Sequence, residues 1–125
     1  MDENKISFII IGAIYKVYNT LGPGLLESIY EAALCYQLHK DGLTVEHQVK
    51  LNVYYDGYIL PVDFRLDILV ENKVIIELKS VSELKDVYKK QLLTYLRISH
   101  KRLGILVNFN TSNLRSSITR IVNHL

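Results

Sequence analysis

Apolar and polar positions follow two rhythms along this chain, and the change from one to the other divides it into elements. Over residues 4–21, Ile6, Ile10, Ala13, Val17 and Leu21 recur every three or four positions, which predicts a helix with one buried stripe. Gly22-Pro23-Gly24 ends it. A second helix is predicted over residues 25–40, with Leu26, Ile29, Ala33 and Leu38 buried and Gly42 just past its end. Over residues 44–55 the period falls to two. Val45, His47, Val49, Leu51, Val53 and Tyr55 take one face, and Glu46, Gln48, Lys50 and Asn52 take the other. This is a long half-buried strand, with His47 as a core histidine rather than a ligand. Asp56-Gly57 signals a hairpin turn, and Tyr58 begins the return.

Two strands then meet at the polar Glu71-Asn72-Lys73. In the first, Phe64, Leu66, Ile68 and Val70 share a face, with Asp63, Arg65, Asp67 and Leu69 opposite. In the second, Val74, Ile76 and Leu78 share a face, with Ile75, Glu77 and Lys79 opposite. An antiparallel register with Val70 against Val74 keeps Ile68 against Ile76 and Leu66 against Leu78. A slip of one residue would turn the apolar set onto the charged face, so the pattern selects this register. It also sets Asp67 against Glu77 and Arg65 against Lys79.

Ser80 and Glu83 have the spacing of a capping box, with Ser82 as the other candidate cap, and a helix is predicted from there to about Ser99. Leu84, Leu92 and Leu96 are its core contacts, while Val87, Gln91 and Tyr95 align at i, i+4 and i+8. Residues 102–109 (RLGILVNF) form an apolar strand of the kind buried on both faces. Residues 110–113 are loop, and Leu114, Ile118, Ile121 and Leu125 predict a closing amphipathic helix. The order α-α-β-β-β-α-β-α predicts one α/β domain over residues 1–125, a mixed four-stranded sheet flanked by helices.

Composition narrows the setting. With 49% hydrophobic and 22% charged residues the chain folds around a core rather than staying disordered. A lone cysteine, Cys35, in an apolar helical run excludes an internal disulfide framework and points to packing in the reducing cytoplasm. Asp2 and Glu3 stand where a signal peptide would be basic. The longest apolar run, from Ile9 to Tyr15, is too short for a bilayer, so a soluble protein is expected. The net charge of +2 is uneven: residues 1–62 hold four Lys/Arg against seven Asp/Glu, and residues 63–125 hold eleven against six. The excess sits on Lys85, Lys89, Lys90, Arg97, Lys101 and Arg102, then Arg115 and Arg120. Such a run suits a phosphate backbone, although a solvated helix face accounts for most of them.

The central strand pair carries the candidate chemistry. Opposed carboxylates repel, and beside Leu69 and Ile75 they are costly to desolvate. A divalent cation removes both penalties, and Mg2+ suits best because it takes one or two carboxylates plus waters. Cross-strand ion pairs, Asp67 with Lys79 and Glu77 with Arg65, are the alternative. Upstream, Glu27 lies in a first helical turn, where the helix dipole alone accounts for a carboxylate. Tyr30 shares its face, and Gly24 permits a tight turn before it.

In Gly24-Leu25-Leu26-Glu27-Ser28-Ile29-Tyr30 the chain resembles the GxxExxY proteins, a group within the PD-(D/E)XK nuclease superfamily. Asp67 with Glu77-Leu78-Lys79 resembles the superfamily's core motif, and Gln91 with Tyr95 its Gln-xxx-Tyr helix motif. Leu66 stands where the name-giving proline would be. The resemblance spans about residues 5–125 and implies a restriction-endonuclease-like fold. It implies that Asp67, Glu77 and the Leu78 carbonyl hold Mg2+ or Mn2+, with Glu27 completing the acidic set directly or through water. Lys79 would then orient or deprotonate the attacking water, Gln91 and Tyr95 would hold the scissile phosphate, and Tyr30 would position Glu27. The expected protein is a nuclease acting on DNA in preference to RNA, with the basic helix tracking the backbone and a homodimer compatible with its size. The alternative is a non-catalytic nucleic-acid-binding or accessory protein that keeps the fold.

Overall fold

The computed structural model describes every residue, Met1–Leu125. Three helices, α1 (Glu3–Leu21), α2 (Glu27–Lys40) and α3 (Asp86–Ser99), cover a five-stranded sheet. Its strands are β1 (Val45–Lys50), β4 (Arg65–Val70), β5 (Val74–Lys79), β6 (Leu103–Asn108) and β7 (Ile118–Val122), side by side in that order. Strands β2 (Tyr54–Tyr55) and β3 (Tyr58–Ile59) form a separate hairpin. Only β5 and β6 run parallel, because α3 supplies the crossover between them.

The helices divide the core in two. Ile6, Ile10, Ala13 and Val17 of α1, with Tyr30, Leu34 and Leu38 of α2, bury one sheet face carrying Ile68, Val70, Val74, Ile76 and Leu78. Leu92 and Leu96 of α3 bury the other, against Leu66, Leu69, Ile75 and Leu106. Helix α1 starts where Asp2 accepts from the Lys5 amide at 2.8 Å, a side-chain cap. The α/β architecture and the mixed sheet are as expected, and β6 is buried along its whole length.

Several expectations are corrected. The sheet has five strands rather than four, because residues 118–122 extend beside β6 instead of forming a closing helix. That sheet edge would otherwise leave the β6 backbone unpaired, and the β-branched Ile118, Thr119, Ile121 and Val122 suit a strand. The predicted strand over residues 44–55 breaks after Lys50. Within it Gln48 has a φ of +50°, and the pairing of β1 with β4 skips Gln48 and Asp67. Both strands change sides there with no residue inserted, since the register is the same on either side of the skipped pair. Val45 therefore packs in the larger core, whereas Val49 and Leu51 join Leu66 in the smaller one. His47 is exposed beside Glu31 instead of lying in the core.

On α2 the buried stripe is Tyr30, Leu34 and Leu38, while Leu26 and Ile29 are exposed, as is Leu21 at the end of α1. Stacking of Tyr30 on Phe109 sets that rotation. The capping box does not form. Helix α3 begins at Asp86 with no side-chain cap, Val87 is exposed, and the Ser80 hydroxyl donates to the Leu25 carbonyl at 2.6 Å.

Candidate active site

Strands β4 and β5 pair as the hydrophobic pattern demands, Val70 with Val74, Leu69 with Ile75 and Ile68 with Ile76. There the ladder stops. The Asp67 amide donates to Glu77 Oε1 at 3.3 Å, and the Leu78 amide donates to Asp67 Oδ2 at 2.9 Å. Each carboxylate thus stands in for a missing backbone partner across a widening gap, and the pairs Leu66–Leu78 and Arg65–Lys79 are not made. Arg65 binds Asp63 at 2.9 Å, and Lys79 Nζ lies 4.6 Å above the centre of the Tyr88 ring. The cross-strand ion pairs of the alternative reading are replaced by these contacts.

Glu77 is only 8% exposed. Burial pushes its carboxyl up to about 9, and the neighbouring Asp67 charge adds to the rise. The Tyr95 hydroxyl is raised too, by burial and then by the charges of Glu77 and Asp67. Tyr95 stands edge-on to Phe64, with centroids 4.8 Å apart. Gln91, one turn earlier on α3, is exposed on the same side.

A pH dependence follows from Glu77. Between its ordinary value of 4.5 and about 9, the folded chain keeps a proton that the unfolded chain releases. Stability therefore falls as pH rises through that window and is highest below it. Urea melts in EDTA across this range are expected to show the decline, and Glu77→Gln is expected to remove that part of the slope. Parallel profiles for the two proteins would contradict the assignment.

Glu27 arrives from the opposite layer. The Tyr30 hydroxyl donates to the Gly22 carbonyl and accepts from the Leu25 amide at 3.1 Å, closing the Gly22-Pro23-Gly24 turn from inside. Gly24 has a φ of +99°, which a side chain would oppose. The turn delivers Glu27 to the end of β5, where its carboxylate accepts from the Ser80 amide at 3.3 Å. Gly24, Tyr30 and Glu27 thus work as one clamp on the residue after Lys79. The clamp does not bring Glu27 into the carboxylate pair, and no three His, Cys, Asp or Glu side chains form a ready metal cage.

The residues present still fit a hard cation. Asp67 and Glu77 offer oxygen alone, each has one oxygen outside the bonds described above, and Glu77 is held in a protonated state that a cation would reverse.

The basic residues divide into two groups. Lys85, Lys89 and Lys90 stand at the start of α3, near the end of β5, with Lys89 3.9 Å from Asp86. Arg97 lies in the last turn. Lys101 bonds Asn72 in the β4–β5 turn at 3.2 Å, and Arg102 bonds the His124 carbonyl at 3.1 Å, both at the far end of the sheet. They do not form one stripe beside the carboxylates.

Two contributors escaped the sequence reading. Tyr88 carries Lys79 and precedes Gln91 by three and Tyr95 by seven, a helical spacing that signals a shared face. Asn108, the one polar side chain between Gly104 and Phe109, is buried opposite Lys79 in the β5–β6 register. Its amide accepts from the Val81 N–H at 3.1 Å and donates to the Val81 carbonyl at 3.0 Å, fixing the chain as it leaves β5.

The family model for the PD-(D/E)XK nuclease superfamily matches residues 4–121, and the mixed α/β sheet is consistent with a restriction-endonuclease-like fold. No curated protein matches the chain.

Proposed function

Because the chain belongs to the PD-(D/E)XK nuclease superfamily, we propose that it is a metal-dependent nuclease hydrolysing DNA phosphodiester bonds, of the GxxExxY group. The observation that carries this is the buried Glu77, kept protonated against Asp67 where the β4–β5 ladder opens. Two carboxylates buried side by side are costly to ionise, and a cation entering between them would relieve that cost.

Asp67, Glu77 and the Leu78 carbonyl would hold Mg2+ or Mn2+, and Glu27, whose carboxylate accepts from the Ser80 amide, would add negative charge to the acidic set. When bound, the ion polarises a phosphoryl oxygen and lowers the pKa of water so that hydroxide exists near neutral pH. Lys79 Nζ orients the attacking water and donates to the oxygen on which charge builds, held in place by the Tyr88 face. Tyr95 and Gln91 position the scissile phosphate from α3. Lys85, Lys89 and Lys90 hold the flanking backbone without reading sequence.

Purified protein is expected to cut plasmid or single-stranded DNA with Mg2+ or Mn2+ and to be silent in EDTA, with RNA a poorer substrate. The absence of a three-residue acidic cage favours one second reading, an accessory protein that binds nucleic acid without cutting it. Salt-dependent binding with no cleavage in either metal would establish that reading instead.

A further inference from the structure

Between β1 and β4 the chain leaves the sheet as a ribbon with both faces bare. Tyr54 pairs with Ile59 and Tyr55 with Tyr58 across a turn in which Asp56 and Gly57 both have positive φ. Tyr54 is 62% exposed, Tyr55 74%, Tyr58 65% and Ile59 50%. A two-stranded hairpin with no covered face is marginal in water, so these rings do little for the fold.

Their position is informative. The ribbon leaves β1 at Lys50 and rejoins β4 at Arg65, and these two residues pair across the strands just before Asp67. Phe64 on the return strand rests against Tyr95. The ribbon therefore rises from the end of the sheet that holds Asp67, Glu77 and Lys79. At its base is a hollow of about 550 Å³ whose lining includes Lys50, Asn52, Asp63 and Arg65.

We infer that this ribbon is a stacking platform for unpaired bases, so that a single-stranded stretch of nucleic acid is the form presented to the carboxylate pair. The inference rests on the nuclease reading above. Tyrosine faces stack on any base, and cations beneath them hold the backbone. A base within a duplex already has both faces covered by its neighbours and offers none to a tyrosine. Lys50 at the base, with Arg65 beside it bound to Asp63, and the ribbon's place at the sheet end that carries Lys79 favour a polyanion over a second protein chain.

The chain contains no tryptophan, so Tyr55→Trp puts a single reporter on the ribbon. In EDTA, oligothymidylate is expected to quench its fluorescence, whereas an abasic strand of equal length or a blunt duplex is not. Full-length protein carrying Tyr54→Ala, Tyr55→Ala and Tyr58→Ala together is expected to bind labelled oligothymidylate at least about tenfold more weakly, with its melting temperature kept. Equal affinity of this variant and the wild type, or equal quenching by the abasic strand, would overturn the inference and leave the nuclease reading intact. A wild-type dimer that the same variant turns into a monomer, at unchanged affinity, would show that the ribbon joins two copies instead. Wild-type protein that neither binds nor cuts any nucleic acid would sink the nuclease reading, and this inference with it.

Discussion

Lys79→Ala is expected to lower metal-dependent cleavage by about 10²–10⁴-fold, the range over which a positioned proton-transfer group contributes. The fold should survive, because the side chain's partner is one face of the Tyr88 ring, a contact contributing about 0.5–2 kcal/mol. Glu77→Gln sharpens the test. Its carboxyl is held neutral without metal, so an amide of the same size replaces it at little cost near pH 8. Cleavage and metal binding should both disappear while the melting temperature in EDTA holds or rises. Were Glu77 half of a structural ion pair, removing its charge would destabilise the protein by about 3–5 kcal/mol. Paired cleavage assays and thermal melts separate the two outcomes.

Tyr30→Ala is expected to be the most damaging single change to stability, costing about 3–5 kcal/mol in a urea melt. The ring is fully buried and stacks on Phe109 at 4.4 Å between centroids with the planes 5° apart. Tyr30→Phe isolates the hydroxyl, leaving the Leu25 amide and the Gly22 carbonyl without it, for about 1–3 kcal/mol. That variant should also lose cleavage beyond what its stability explains, because the turn that brings Glu27 to Ser80 slackens. A Tyr30→Phe protein as active as the wild type would show that Glu27 needs no such support.

Much of this arrangement is legible in the sequence wherever one face of an element is wholly apolar. Val70, Ile68, Val74 and Ile76 admit one register, and that register is observed. Gly24, Glu27 and Tyr30 act together, though the reason, a hydroxyl closing a glycine turn, needs three dimensions. Misreadings arose where two patterns competed. Leu114, Ile118, Ile121 and Leu125 keep helical spacing, yet Ile118-Thr119-Arg120-Ile121-Val122 is strand-rich and β6 lacks a neighbour without it. Ser80 and Glu83 look like a cap, but a serine at the end of a strand beside α2 finds the Leu25 carbonyl first. Strict alternation hid the side change at Gln48, since a positive φ in a strand leaves no mark in its composition. The split of the basic residues was equally invisible, because it depends on α3 turning the chain back along the sheet.

The carboxylates that join the middle strands at Asp67 and Glu77 are the same groups a cation would draw upon, each through its other oxygen. Cohesion and readiness for chemistry therefore share one pair of side chains. Whatever binds those side chains also alters how firmly the molecule's centre is fastened, so two main-chain amides would register the arrival of a metal from within the scaffold itself.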